Sequence, residues 1–207
     1  MAKERMLVEG VDDIYAIAEL MGYHITWGKP PPVQIIERNG DEIFVPGTIS
    51  AELKSSPKVA VVVDANSDPI GRYLKIRKEA LEMFPDIPDA LPPEGLITVN
   101  AKGNRFGVWL MPDNQQTGMI ETFLHWLVPE EQDALWKFAR ETTSVAKEVH
   151  NAPFRATHLD KARIHAFLAW ANPPGENLGR ALKRKILDPK SHHATPFVSW
   201  FRQLYEL

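Results

Sequence analysis

The chain has 207 residues and no cysteine, which excludes disulfides and thiolate metal sites. Its 44% hydrophobic and 25% charged content fits one folded domain, or one with an appendage, and no apolar run approaches a membrane span. The net charge of −3 hides a division: residues 1–149 hold fifteen basic and twenty-three acidic side chains, residues 150–207 nine and four. An acidic part beside a basic one suits a cation site next to a polyanion; equally, charge fluctuates this much along many domains with no such use.

Met1 to Arg5 leads straight into a strand-like segment without the apolar stretch of a signal peptide, so a cytoplasmic protein with no membrane association is expected. Arg5 to Val8 reads as a strand. Glu9-Gly10 is a tight turn at its exit. Ile14, Ile17, Ala18 and Met21 then fall on one helical face, with Gly22 as the stop. Asp13 lies in the first helical turn, where the macrodipole favours an anion. After the proline-rich stretch Trp27 to Pro32, Val33 to Ile36 reads as a strand. Asn39-Gly40 signals a hairpin turn, with Glu42 to Val45 as the returning strand. Ser50 to Lys54 reads as a short helix.

Val59 to Val63 is a run of small and β-branched residues with no polar alternation, the habit of a central strand buried on both faces. It ends at Asp64, with Asn66 and Asp68 at alternate positions and Pro69 able to open a helix. Two readings are open. Carboxylates beyond the carboxyl end of such a strand stand where ligands bind in open α/β sheets. Equally, Asp64 is a turn residue and Asp68 a helix N-cap.

Ile70 to Phe84 reads as a helix, with Tyr73, Leu74, Arg77, Leu81 and Phe84 on one face and Arg72, Lys75 and Lys78 outside. Leu96 to Asn100 and Phe106 to Met111 read as a hairpin around Lys102-Gly103-Asn104. Met119 to Leu124 starts a helix carrying Glu121. The next runs from Pro129 to Val149, with Leu135, Phe138, Ala139, Thr142 and Val145 inward. In the helix His158 to Ala171, His165 is expected in the core or close to the site. Leu178 to Leu187 gathers Arg180, Lys183, Arg184 and Lys185, either a solvated helix face or a grip on phosphates. Phe197 to Leu204 closes the chain. Trp126, Trp136, Trp170 and Trp200, and the tyrosines at 15, 23, 73 and 205, are expected as packing residues.

Three strand or loop exits thus carry acids: Glu9 and Asp13, then Asp64, Asn66 and Asp68, then Glu121. If the first two strands are parallel neighbours, these carboxylates converge and repel one another unless a cation offsets them. With hard oxygen donors that cation is Mg2+ or Mn2+.

Leu7-Val8-Glu9-Gly10-x-x-Asp13, followed by Val61-Val62-Val63-Asp64-x-Asn66-x-Asp68, resembles the Toprim domain of topoisomerases, bacterial primases and OLD-family nucleases. Trp109 to Asn114, Gly118-x-x-Glu121, Asp160-Lys161-Ala162, Pro173-Pro174-Gly175 and Leu178-Gly179 resemble a Toprim-like family without an assigned function, related to the OLD nucleases. The resemblance covers nearly the whole chain. It implies a single Toprim-like, Rossmann-like α/β domain: a mainly parallel sheet flanked by helices (core about 1–150) with a helical C-terminal extension (about 151–207). It implies a Mg2+-dependent nuclease acting on DNA or RNA, with Glu9, Asp64 and Lys161 catalytic. Glu9, Asp13, Asp64, Asn66, Asp68 and Glu121 are then the metal set. Asn66 departs from the pattern, because an acid is expected there and an amide is the poorer ligand. The alternative is a non-catalytic nucleic-acid- or partner-binding module, possible also in defence or toxin–antitoxin systems. Nucleic acid is the expected partner, with Arg180, Lys183 and Arg184 as its contacts.

Overall fold

Every residue of the Val59–Val63 run is buried in a computed structural model of the protein, as the missing polar alternation requires. The structure describes residues 4–207; Met1 to Lys3, the start of the N-terminus read above, lie outside the described residues. The run is the interior of β3 (Lys58–Asp64). Beside it lies β1 (Glu4–Val8), with β2 (Val33–Glu37) beyond, and all three are parallel. On the other side β3 pairs in parallel with β5 (Arg105–Met111), and β4 (Leu96–Val99) closes the edge antiparallel to β5. The order β2-β1-β3-β5-β4 makes a Rossmann-like sheet. The chain leaves β1 towards β2 on one side and later returns to β3 on the other, so the connections part between β1 and β3. Their carboxyl ends flank the crevice where such sheets bind ligands.

The strands feed two cores by strict alternation. Met6, Val8, Ala60, Val62, Trp109 and Met111 face one way, and Leu7, Val59, Val61, Val63, Val108 and Leu110 the other. The second face is covered by α2 (Thr48–Ser55) and α3 (Pro69–Ala80). The first takes α1 (Val11–Gly22), α4 (Ile120–His125), α5 (Asp133–Glu148), α6 (Leu159–Ala169), α7 (Leu178–Lys183) and α8 (Thr195–Tyr205). The C-terminal helices α6, α7 and α8 therefore share in the core of one whole sheet face. A Cβ on Gly107 of β5 would stand 2.5 Å from Leu204 Cδ2 of α8, so glycine is needed for that approach. Each buried Leu or Phe here contributes about 1.5–3 kcal/mol. Among the described residues no helix is long and apolar enough to cross a membrane.

Several expectations change. Asn39 and Gly40 do take left-handed backbone, yet no strand returns at 42–45. The chain instead winds into a 3-10 helix at Gly40–Phe44, because the Arg38 and Gly40 N–H groups still bond the carbonyls of Val8 and Glu9 and keep it against β1. On α3, Arg72 is buried and Leu74 exposed, the reverse of the hydropathy reading. On α5 the inward face is Trp136, Ala139 and Thr143, while Phe138, Thr142 and Val145 are exposed. Phe138 meets Trp170 at the surface, their ring centroids 5.2 Å apart, so Trp170 is not in the core either. His165 is exposed. Tyr73 and Tyr205 pack inside, but Tyr15 does not. The helix begun at Leu178 stops at Lys183, two residues before Lys185 takes left-handed backbone.

Candidate functional site

The parallel register brings the acidic junctions to one edge. Glu9 follows β1, Asp64 ends β3 opposite Met111 of β5, and the loop after β5 leads to Glu121 in the first turn of α4. Asp64 is fixed at both ends. Its backbone N–H donates to Glu9 Oε1 at 2.9 Å, and its own Oδ1 accepts the Ile120 N–H at 2.8 Å. One residue thereby ties all three junctions together. Asp13 Oδ2 accepts the Gly10 N–H at 2.7 Å, closing the start of α1. Glu121 is only 3% exposed, and its Oε1 pairs with Lys161 Nζ of α6 at 3.0 Å.

Each carboxylate spends one oxygen on these contacts. Among the described residues Glu9 Oε2, Asp13 Oδ1, Asp64 Oδ2 and Glu121 Oε2 accept no hydrogen bond, and none of the four is sealed from solvent. The electrostatics follow. Burial pushes Asp64 well above the usual carboxylate range, and the charges of Asp13, Glu9 and Glu121 add to it. Burial likewise pushes Asp13 up to about 7, with Glu121, Glu9 and Asp12 contributing. Glu9 is raised by burial, which outweighs the opposing Arg72 guanidinium. Burial alone would lower Lys161, but Glu121 beside it, with Asp12 and Asp64 nearby, raises it instead.

Two residues of this cluster escape sequence reasoning. Arg72 reaches from α3 to Glu9 Oε1 at 2.6 Å and to Asp41 Oδ1 at 3.1 Å, with its guanidinium 4.6 Å from the Phe44 ring centroid. Only an unexplained acid at a strand exit hints at such a counter-charge. Asp12, beside Asp13, adds its charge to those acting on Asp13 and Lys161, and its position in the first helical turn is the available signal.

Other expected residues stand apart. Asp68 is exposed and caps α3, its Oδ1 accepting the Gly71 N–H at 2.9 Å. Asn66 is exposed in left-handed backbone and exchanges two backbone hydrogen bonds with Gly118. Arg180 and Arg184 both reach the buried Glu176, and Lys183 lies 3.6 Å from Glu19. The His192 and His193 rings lie 3.9 Å apart in a cleft of about 640 Å3 that shares no lining residue with the acidic edge. Among the described residues no group of three or more acidic or histidine side chains is already drawn tightly enough to grip an ion.

A family model described as "Protein of unknown function (DUF3226)" matches residues 3–206. The chain belongs to the DUF3226 family. No curated protein and no solved structure matches it. In this DUF3226 chain the matched region takes in all three acidic junctions together with Arg72 and Lys161.

Proposed function

We propose that the acidic edge binds a divalent cation, Mg2+ or Mn2+, and that the protein is a metal-dependent nuclease cleaving phosphodiester bonds in DNA or RNA. The observation that carries this reading is Asp64, anchored by Glu9 and Ile120 and left with a free oxygen among desolvated acids. The donor set fits a hard ion: all are oxygens, and four of them are open. Asp64, Asp13 and Glu121 would hold the ion, with Glu9 beside them. Bound there, the ion would activate water and offset charge on the phosphate.

The chain's own groups do the rest. Glu9, held by Arg72, keeps the Asp64 backbone in place and is an acid–base candidate. Lys161, kept protonated by Glu121, is suited to a phosphate oxygen that gains negative charge. The order of these residues in the sequence resembles Toprim proteins of the OLD nuclease kind, which supports the same reading, as does the basic surface of α7. A cytoplasmic location goes with it.

Asn66 favours a second reading, a binding module that has lost part of its metal set and works through nucleic acid or a protein partner. Cleavage assays on labelled single- and double-stranded DNA and RNA with Mn2+ separate the two. Metal-dependent cleavage that Asp64→Asn removes supports the nuclease. Binding without cleavage at any metal concentration supports the module.

A further inference from the structure

Tyr15 is 57% exposed on α1, and among the described residues its hydroxyl has no hydrogen-bond partner. The inner face of α1, Ala16, Ile17, Leu20 and Met21, is buried, while Tyr15 presents its ring on the outer face. Its backbone is pinned from behind: a Cβ on Gly179 of α7 would come within 2.8 Å of Tyr15 Cβ, so the two helices touch there. The crossing leaves a groove of about 350 Å3 lined by Tyr15, Glu19, Asn177, Gly179, Arg180 and Lys183. Arg180 and Lys183 are 67% exposed in their side chains, and both of their carboxylate partners lie at 3.6 Å. Lys183–Glu19 is a long surface pair of the weak kind, and Arg180, although its partner Glu176 is buried, keeps most of its own guanidinium in solvent, so both cations can meet another anion. Arg184 and Lys185 follow directly, so this end of α7 is net positive. Tyr15 stands two residues after Asp13 on α1, and Asp13 belongs to the acidic edge. The groove thus opens within one helical turn of the proposed reaction centre.

We propose that this groove guides single-stranded nucleic acid to the acidic edge, one base stacking on Tyr15 and the flanking phosphates lying on Arg180 and Lys183. A duplex keeps its base faces stacked inside, whereas an isolated strand offers one to an aromatic ring on a positive track. The inference rests on the nuclease reading for its destination, but the binding does not need the metal.

The test uses the full chain in EDTA, with fluorescein-labelled single strands and a hairpin duplex of matching sequence, followed by anisotropy. Single strands are expected to bind more tightly than the duplex. Tyr15→Ala should weaken single-strand binding by about tenfold. Tyr15→Phe should bind like the native chain, because the ring and not the hydroxyl is used. Charge reversal by Arg180→Glu with Lys183→Glu should weaken binding and flatten its salt dependence. Equal binding by Tyr15→Ala and the native chain, equal affinity for the duplex, or no binding at all overturns the proposal. Groove-dependent binding without cleavage on adding Mn2+ would overturn the hydrolytic reading and leave the groove standing. Cleavage with Tyr15-independent binding does the opposite.

Discussion

Arg72 Nη2 lies 2.6 Å from Glu9 Oε1, although 63 positions separate the two residues in the chain. Both side chains are largely buried, so each is the other's means of being charged there. Removing one partner of such a pair leaves the other desolvated and alone. Arg72→Met should therefore cost about 3 kcal/mol in urea unfolding. Glu9→Gln in the same chain should restore part of it, as a double-mutant cycle will read.

The raised acids make stability depend on pH in a defined direction. Asp13 binds its proton with a pKa of about 7 when folded, against 3.8 as its ordinary value. Between those two values the folded chain holds more protons than the unfolded one, so stability declines as pH rises. The contribution is fully present below 3.8 and lost as pH passes about 7, and Asp64 and Glu9 act in the same sense. Metal-free melting temperatures should fall across this window. Asp13→Asn should flatten the fall. Mn2+ should raise the melting temperature most at the alkaline end, where the acids are ionised.

Gly118 sets the loop that delivers α4. Its φ is +142°, and a Cβ there would meet Thr122 Oγ1 at 2.7 Å. That hydroxyl also donates to Asp160 Oδ2 at 2.8 Å and accepts the Met119 N–H at 3.1 Å. Gly118→Ala should cost about 1–3 kcal/mol through strain and overpacking. It should also shift Ile120, the donor to Asp64, so Mn2+ affinity should drop with stability. Thr122→Val removes the hydrogen bonds alone and should cost about 1–2 kcal/mol.

Lys161 is separable from metal binding. In the proposed reaction it would oppose the cation electrostatically while serving the phosphate. Lys161→Met should leave Mn2+ affinity equal or higher and lower the cleavage rate by about a hundredfold or more. A matching loss of metal affinity would instead make it a structural partner of Glu121.

The carboxyl edge is legible in the sequence because the physics is local. A five-residue apolar run ends in an acid, and another strand ends in Glu-Gly, so parallel pairing does the rest. Arg72 is not legible in the same way: its burial depends on an acid from another strand, and hydropathy places any arginine outside. The missing return strand after Asn39-Gly40 has a similar origin, since the turn is right but β1 holds the chain that follows. On α5 two apolar stripes one residue apart compete, and the tertiary partner of Trp136, the Phe167 ring 5.9 Å away, decides between them. The pairing of Phe138 with Trp170 takes the losing stripe to the surface.

Mn2+ titration by calorimetry, on the native chain and on Asp64→Asn, bears most directly on whether these acids serve a cation. Saturable heat in the native chain that disappears in the variant, with folding intact by circular dichroism, is the expected result. Equal heats in both, or none in either, would contradict it.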